Sequence, residues 1–572
     1  MDAAEPAAAE PSKPGWKTVL VALTRRKTGY MALFGFAAGL PYALLLGTLY
    51  AWLSDAEVDL ETMGVFSLIG LAYAFKFLWS PALDRLDIPG LRRLGKRKQW
   101  IVTAQILLGI ILVSLSLLDP VGNLGWFSLL AGIGAFASAT QDVVIDAWRV
   151  DVADEEATLD MLSTVYQMGY RIAALVGGAL ALFLAERTSW PTVYLTMGAI
   201  LLVVGILGLW APDANTAALR AAEDERGEDP HGLREPGQLT PRVRGWALAA
   251  VGALWGWALI TVGVFMVRSL TNDPESRPDS VEFISTMGPM IIIATVVVPA
   301  LIAAWLVKME RTGQHLLHER TRATSTGARA VDHLYRALVL PLTEMVGRIG
   351  WALILVFALV LTYRICDAVW GTFAYPFYLG ELEYTKDEVA VASKFFGVGA
   401  IVLGLALGGY LMTVIGRMFT LTLGALLAAL TNLLYADLAV GGERMALVSD
   451  VTGFTWLLEQ FGSDQRLGKL MVTIGAENLA VGIAGAAYVA WLSSIVTRGY
   501  SAVQYALLSS LTLLVGTLGR GALGQMIEEQ GYYPVFILTT LIGMVAVVLC
   551  VFEWIRMSRK EKQDRRIAAT VA

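Results

Sequence analysis

The residues of this chain with the most chemical potential lie where water is scarcest. From Leu129 to Asp151 the sequence reads LLAGIGAFASATQDVVIDAWRVD, an apolar helix that carries Gln141, Asp142 and Asp146. A carboxylate in hydrocarbon is costly, so it must face a protein interior or a wet cavity. Asp142 and Asp146 are four residues apart and share one helix face. Like charges that close resist joint ionisation, which makes the pair a place to hold and release a proton. The competing reading is an internal salt bridge that only packs helices.

Other charged and amide side chains sit within apolar stretches. Lys76 and Asp142 each lie roughly 10 Å from the inner end of their stretch, and Arg171 roughly 13 Å, so one can bridge another. Arg364 and Asp367 are one turn apart. Lys394 lies roughly 10 Å below an outer end and Glu477 roughly 15 Å, with Asn478 beside it. Aromatic residues such as Tyr42, Tyr73, Trp370 and Tyr375 serve interfaces, helix packing or the stacking of a ring.

The elements that carry these groups are membrane spans. The 572 residues are 56% hydrophobic and only 16% charged, well below the quarter or so expected of a soluble chain. The sequence predicts an all-α membrane protein with about fourteen crossings of roughly twenty residues. They fall near 29–53, 62–83, 99–118, 124–148, 163–186, 191–211, 245–267 and 284–308, then 349–379, 388–413, 417–437, 468–496, 502–527 and 532–556. Pro41 predicts a kink in the first, since proline removes a backbone hydrogen bond. Gly35 with Gly39, and Gly404 with Gly408, have the spacing of close helix contacts.

Basic residues set the orientation. Arg85, Arg92, Arg93, Lys96, Arg97 and Lys98 share one side with Arg311, Arg320, Arg329, Arg417, Arg498 and the tail. The opposite loops read SDAEVDLET, NDPESRPDS and ELEYTKDE. By the positive-inside rule the basic side, with both termini, is cytoplasmic. Residues 1–28 form an N-terminal segment without a cleavable signal, 29–211 a six-helix half and 348–557 a second. Between them, 212–347 holds two polar linkers and two extra spans, and 558–572 is a tail. Within the outer loop 438–467, TGFTWLLEQFG predicts a short surface helix. Two cysteines and four histidines show no metal or disulfide pattern, and nothing points to nucleic acid or to an enzyme.

The loop SPALDRLDIPGLRRLGKRK resembles the gate motif of the major facilitator superfamily, with a partial second copy in GGYLMTVIGRM. The likeness tightens over GFAAGLPYALLLGTLYAWLSD, ASATQDVVIDAWRVD, GYRIAALVGG, RICDAVWGTF, SKFFG, AENLAVGIAGAAYVAWL and SAVQYALLSSL. These stretches, spread over both halves, resemble the AmpG-type muropeptide permeases of that superfamily. The extra spans depart from the family pattern by lying between the halves rather than near the C-terminus, which places them outside the transport path. The loop 438–467 is a second departure.

The resemblance implies a two-half carrier in a bacterial inner membrane. It would import anhydro-muropeptides (GlcNAc-1,6-anhydro-MurNAc and its peptides) with protons, feeding peptidoglycan recycling and β-lactamase induction. No cofactor beyond the coupling proton is expected, and the partners are the muropeptide and the bilayer, with the protein a monomer. For such a cargo, Lys76, Arg364 and Lys394 are the candidates to hold carboxylates, with Asp367 beside Arg364. Gln141 and Asn478 would bind sugar hydroxyls. Asp142, Asp146 and Glu477 are the candidate proton carriers, Glu477 alternatively pairing with Lys394; Asp84, Arg85, Arg171 and Arg417 would act in gating. Two alternatives stand beside this reading. One is a facilitator for another anion, such as an acyl-coenzyme A or a sugar phosphate. The other is a membrane sensor that binds without transport.

Overall fold

The computed structural model describes residues 16–58, 68–212, 233–234, 236–271, 278–319, 321–322, 325–365 and 373–571. In lipid every backbone polar group must be satisfied within the segment, so the apolar runs can only become helices. They are α1 Trp16–Leu23, α2 Arg26–Asp55, α3 Leu68–Ala74, α4 Ser80–Arg85, α5 Lys98–Ser116, α6 Leu124–Val152, α7 Leu159–Arg187 and α8 Trp190–Gly208. The inserted pair is α9 Pro241–Thr271 and α10 Glu282–Arg311. Then come α11 Thr326–Leu338, α12 Leu340–Ile349, α13 Ala352–Tyr363, α14 Lys386–Val414 and α15 Arg417–Ala439. The loop helices are α16 Glu443–Val451 and α17 Phe454–Glu459, followed by α18 Gln465–Ile495, α19 Ser501–Gln530 and α20 Tyr532–Val571. Side chains cap several starts: Thr158 accepts from the Met161 amide, and Thr385 forms a capping box with Glu388.

Among the described residues, 11 helices are long and apolar enough to cross a membrane, and α12 with α13 forms a further pair bent by 103°. The bend falls at Gly350, whose φ of 63° is open to glycine and strained for other residues. Two expected crossings remain. One is α19, a continuous 30-residue helix. The other is the second span, which the structure breaks into α3 and α4 around a 3-10 turn at Lys76–Leu78. Pro41 does not break α2; the chain absorbs it in a π-helical turn at Leu44–Thr48. A second π turn, Val176–Leu180 in α7, lies alongside, and the Thr48 hydroxyl donates to the Gly177 carbonyl at 3.3 Å.

The closest helix approaches depend on glycine. An added Cβ at Gly35 or Gly39 of α2 would strike the Tyr166 or Tyr170 carbonyl of α7. In α14, one at Gly404 would strike the Leu479 carbonyl of α18, and one at Gly408 would press on Ile483. Both GxxxG spacings read from the sequence are therefore contact faces.

The apolar cores show how the halves meet. One cluster mixes both halves, with Phe34, Trp148 and Val150 beside Trp491, Leu492 and Leu508. It lies at the end bearing the basic loops. At the far end each half has its own cluster, Leu45, Leu112 and Tyr194 in the first and Phe377, Tyr435 and Leu470 in the second. The α9–α10 hairpin rests outside this body. Phe283 of α10 stacks on Phe265 at 4.0 Å and reaches Phe75 of the second span, and Trp255 of α9 meets Phe77 at 6.3 Å. α10 also packs on α19 and α12, and α9 on α11, so the hairpin is seated against both halves and the linker that follows it. Its two linkers pair with each other through a two-residue antiparallel ladder, Leu233↔Arg322 and Arg234↔Thr321, and a bridge Leu239↔Leu316. This ladder is the one departure from all-helical structure among the described residues.

Gly404→Ala should lower stability by about 1–3 kcal/mol through overpacking against α18. Gly399→Ala, which meets open space, should change little. Thermal melts in detergent followed by circular dichroism compare them.

Candidate functional site

The first half gathers its polar groups around Asp142. Lys76, carried on the 3-10 turn that interrupts the second span, forms an ion pair with Asp142 of α6. The Tyr166 hydroxyl of α7 donates to the other Asp142 oxygen at 2.7 Å. Both ion-pair side chains remain partly open, at 18% and 17% exposure. Tyr42 packs edge-on to Tyr73 at 5.1 Å and against Tyr170 at 5.9 Å, and the Tyr73 hydroxyl meets Ser138. Arg171, half-buried, acts electrostatically on Tyr42 and Tyr170. The result is a charged pair rimmed by phenol rings.

The second half offers a looser set. Glu477 of α18 accepts from the Tyr435 hydroxyl of α15, which in turn meets the Tyr378 hydroxyl at 2.9 Å. Lys394 lies in a π-helical turn, exposed, with its ammonium 5.7 Å from the Tyr375 ring centre. Among the described residues Lys394 has no ion pair, so of the two readings of Glu477 the pairing with Lys394 is not the contact seen; Glu477 meets Tyr435. The Asn478 amide donates to the Ile474 carbonyl of its own helix at 2.9 Å. Arg364 is half-buried at the end of α13, close to Tyr488. Asp367, like Trp370, lies outside the described residues.

The basic end is sealed by buried charge. Arg97 is fully buried and reaches Asp84 and Asp151, each at 2.7 Å, the Asp84 contact lying off the hydrogen-bond axis. It also donates to Ser501 of α19 at 2.9 Å, and Ser501 donates to Asp151 at 3.0 Å. Asp84 accepts from the Val503 amide at 2.9 Å, where the positive end of the α19 dipole favours an anion. Arg149 is ion-paired with Asp146 at 2.9 Å and donates to Ser493 of α18. Arg417 pairs with Asp160 across the halves at 2.5 Å, and Arg498 donates to the Ala153 carbonyl. Arg85 donates to the Arg336 carbonyl and lies over the Tyr500 ring. In the loop below, burial pushes Asp154 up, but Lys27 and the Ala157 and Glu156 amides outweigh that and hold it below the usual carboxylate range.

Several sequence expectations meet here and others part. Lys76 and Asp142, read at equal depth, pair. Asp142 and Asp146 share a face but serve different cations, Lys76 towards the open region and Arg149 towards the seal. Gln141, expected to bind sugar, is fully buried and donates to the Ala37 carbonyl at 2.7 Å, which makes it a tie between α6 and α2. Sequence reasoning missed Arg97, Asp151 and Arg149 as the buried charges that join the halves, and Tyr166 and Tyr435 as partners of the acids. Arg97 looked like one more loop cation, and a tyrosine in an apolar run gives no sign of which acid it meets.

A family model described as the Major Facilitator Superfamily matches residues 28–308. The anhydromuropeptide permease of Escherichia coli K12 is 27% identical over 530 residues, covering 92% of this chain and 79% of that protein. The putative transporter AmpG 4 of Rickettsia conorii is 24% identical, covering 91% and 94%. Among solved structures, the human organic anion transporter MFSD10 (TETRAN) aligns with a TM-score of 0.52 at 10% identity, covering 92% of this chain and 99% of that one. FucP in its outward conformation aligns at 0.51 and 11%, with the same coverage.

Arg97→Met would leave Asp84 and Asp151 buried without a counterion and should cost about 3–5 kcal/mol. Arg92→Met, which loses an exposed pair with Asp87, should cost no more than about 1 kcal/mol. Denaturant midpoints in detergent separate the two.

Proposed function

We propose, from the premise that this chain belongs to the major facilitator superfamily and is related to the AmpG-type permeases, that it imports anhydro-muropeptides by proton symport. The cargo is GlcNAc-1,6-anhydro-MurNAc and its peptides, moved from periplasm to cytoplasm for peptidoglycan recycling. The observation that carries this reading is the partly open Lys76–Asp142 pair inside the membrane. A fully buried pair would be a fixed strut, and an exposed one would be worth little. This one stands between, open enough to exchange partners.

A muropeptide brings carboxylates, which favour cationic partners, and sugar rings, which favour aromatic faces. Lys394 beside Tyr375 offers both in the second half. Arg364 and Asn478 are the further polar candidates of that half, and Tyr42 and Tyr73 those of the first half's aromatic groups. A proton taken by Asp142 neutralises the counterion of Lys76 and frees the ammonium for a cargo carboxylate. Glu477 under Tyr435 is the matching acid of the second half. With the basic loops read as cytoplasmic, the contacts that join the basic end support an outward-facing reading of this state. Alternating access then follows from opening the Arg97, Arg149 and Arg417 contacts while the far ends close. The protein works as a monomer in the inner membrane, both termini cytoplasmic, as a carrier rather than an enzyme.

In proteoliposomes with an inward proton gradient, labelled anhydro-disaccharide and its peptides should accumulate, and an ionophore should stop it. Asp142→Asn should abolish uphill uptake and retain exchange of cargo across the membrane. Accumulation that survives the ionophore would end the proton reading. Preferential accumulation of an acyl-coenzyme A or a sugar phosphate would reassign the cargo.

A further inference from the structure

Tyr166 stands between the open acid–cation pair and the seal at the basic end. Its hydroxyl donates to Asp142 at 2.7 Å, while the guanidinium of Arg149 lies 4.9 Å from the centre of its ring. Arg149 is fully buried. It reaches the second half twice, through the Ser493 hydroxyl at 3.1 and 3.2 Å and over the Tyr505 ring at 5.2 Å. One of its terminal nitrogens has no hydrogen-bond partner, so the two aromatic faces carry part of its stabilisation. Lys76, Asp142, Tyr166, Arg149 and Ser493 therefore form one line from the open region to the contact between α6 and α18.

We propose that Tyr166 is a positioning residue that couples the charge state of Asp142 to the Arg149–Ser493 latch. This rests on Asp142 being the proton site. While Asp142 is ionised, the hydrogen bond it accepts is charge-assisted and pins the phenol ring beneath Arg149. A neutral Asp142 holds that hydroxyl less strongly. The ring is then free to turn, Arg149 loses one of its two aromatic faces, and the latch to Ser493 weakens. The backbone cannot follow, because Gly35 of α2 is packed on the Tyr166 carbonyl. Movement is thus confined to the side chain. The titratable groups that face Tyr166 are Asp142, Asp146, Arg149 and Tyr170, with Lys76 beyond Asp142 and Tyr505 beyond Arg149. Of these, Asp146 keeps its own pair with Arg149, so the guanidinium stays charge-compensated on α6 while its hold on Ser493 loosens. The sign suits import: arrival of a proton from outside loosens the inner closure.

Amide hydrogen exchange of the full-length protein in nanodiscs tests this over residues 149–165 and 488–497. Asp142→Asn mimics the neutral acid and should speed exchange there between about twofold and thirtyfold, the range that loss of one cation–π contact allows. Tyr166→Phe keeps the ring and removes only the hydroxyl link, and should match it. The double variant should exchange no faster than either single one, since both cut the same link. Ser493→Ala, at the far end, should open the segments alone and leave Asp142→Asn little to add. Multiplying effects of Asp142→Asn and Tyr166→Phe, or unchanged exchange in Asp142→Asn, would overturn the coupling. Uphill uptake that persists in Asp142→Asn would instead remove the proton site itself, so the two failures are told apart.

Discussion

An ion inside hydrocarbon persists only beside its counterion, and the architecture of this protein follows from where those pairs are allowed to be wet. Arg97 with Asp84 and Asp151 is dry, every member at 1% exposure or less. Lys76 with Asp142 is not. The first set needs all its partners at once, and some of them come from α19, so the halves stay together at that end. The second is partly exposed and lies within one half, so it ties nothing across the interface. Burial, more than residue type, thus separates a lock from a site.

The two halves treat their membrane acids alike and their cations differently. Asp142 and Glu477 each accept a hydrogen bond from a tyrosine on a neighbouring helix, Tyr166 and Tyr435. A phenol gives a carboxylate a hydrogen bond without bringing a second charge. In the first half a lysine completes the pair. In the second, Lys394 sits apart at the exposed wall. The arrangement is therefore unequal: one half pairs its cation internally, and the other leaves Lys394 exposed beside Tyr375.

Much of this was legible in the chain. Equal depth brought Lys76 and Asp142 together, and the glycine pairs at 35 and 39 and at 404 and 408 marked the tightest helix contacts. TGFTWLLEQFG holds the helix expected of it, although Glu443–Val451 precedes it as a second. What escaped has a common cause. Periodicity reports which face a residue occupies, and it is silent on what the facing helix brings. Arg97 lies in a run of loop cations and differs from them because Asp84, Asp151 and the start of α19 close around it. Gln141 adjoins Asp142 but points the other way, to the α2 backbone. Lys76 needs a 3-10 turn to be presented, and apolar patterning alone predicts an unbroken span there.

The short ladder between Leu233–Arg234 and Thr321–Arg322 brings the entrance and exit of the α9–α10 hairpin side by side. An excursion whose ends meet places no tension on the body it leaves, whatever its length. The hairpin can therefore vary in length at its free end without pulling on the helices it leaves, while Phe283 and Trp255 keep its base seated on the second span.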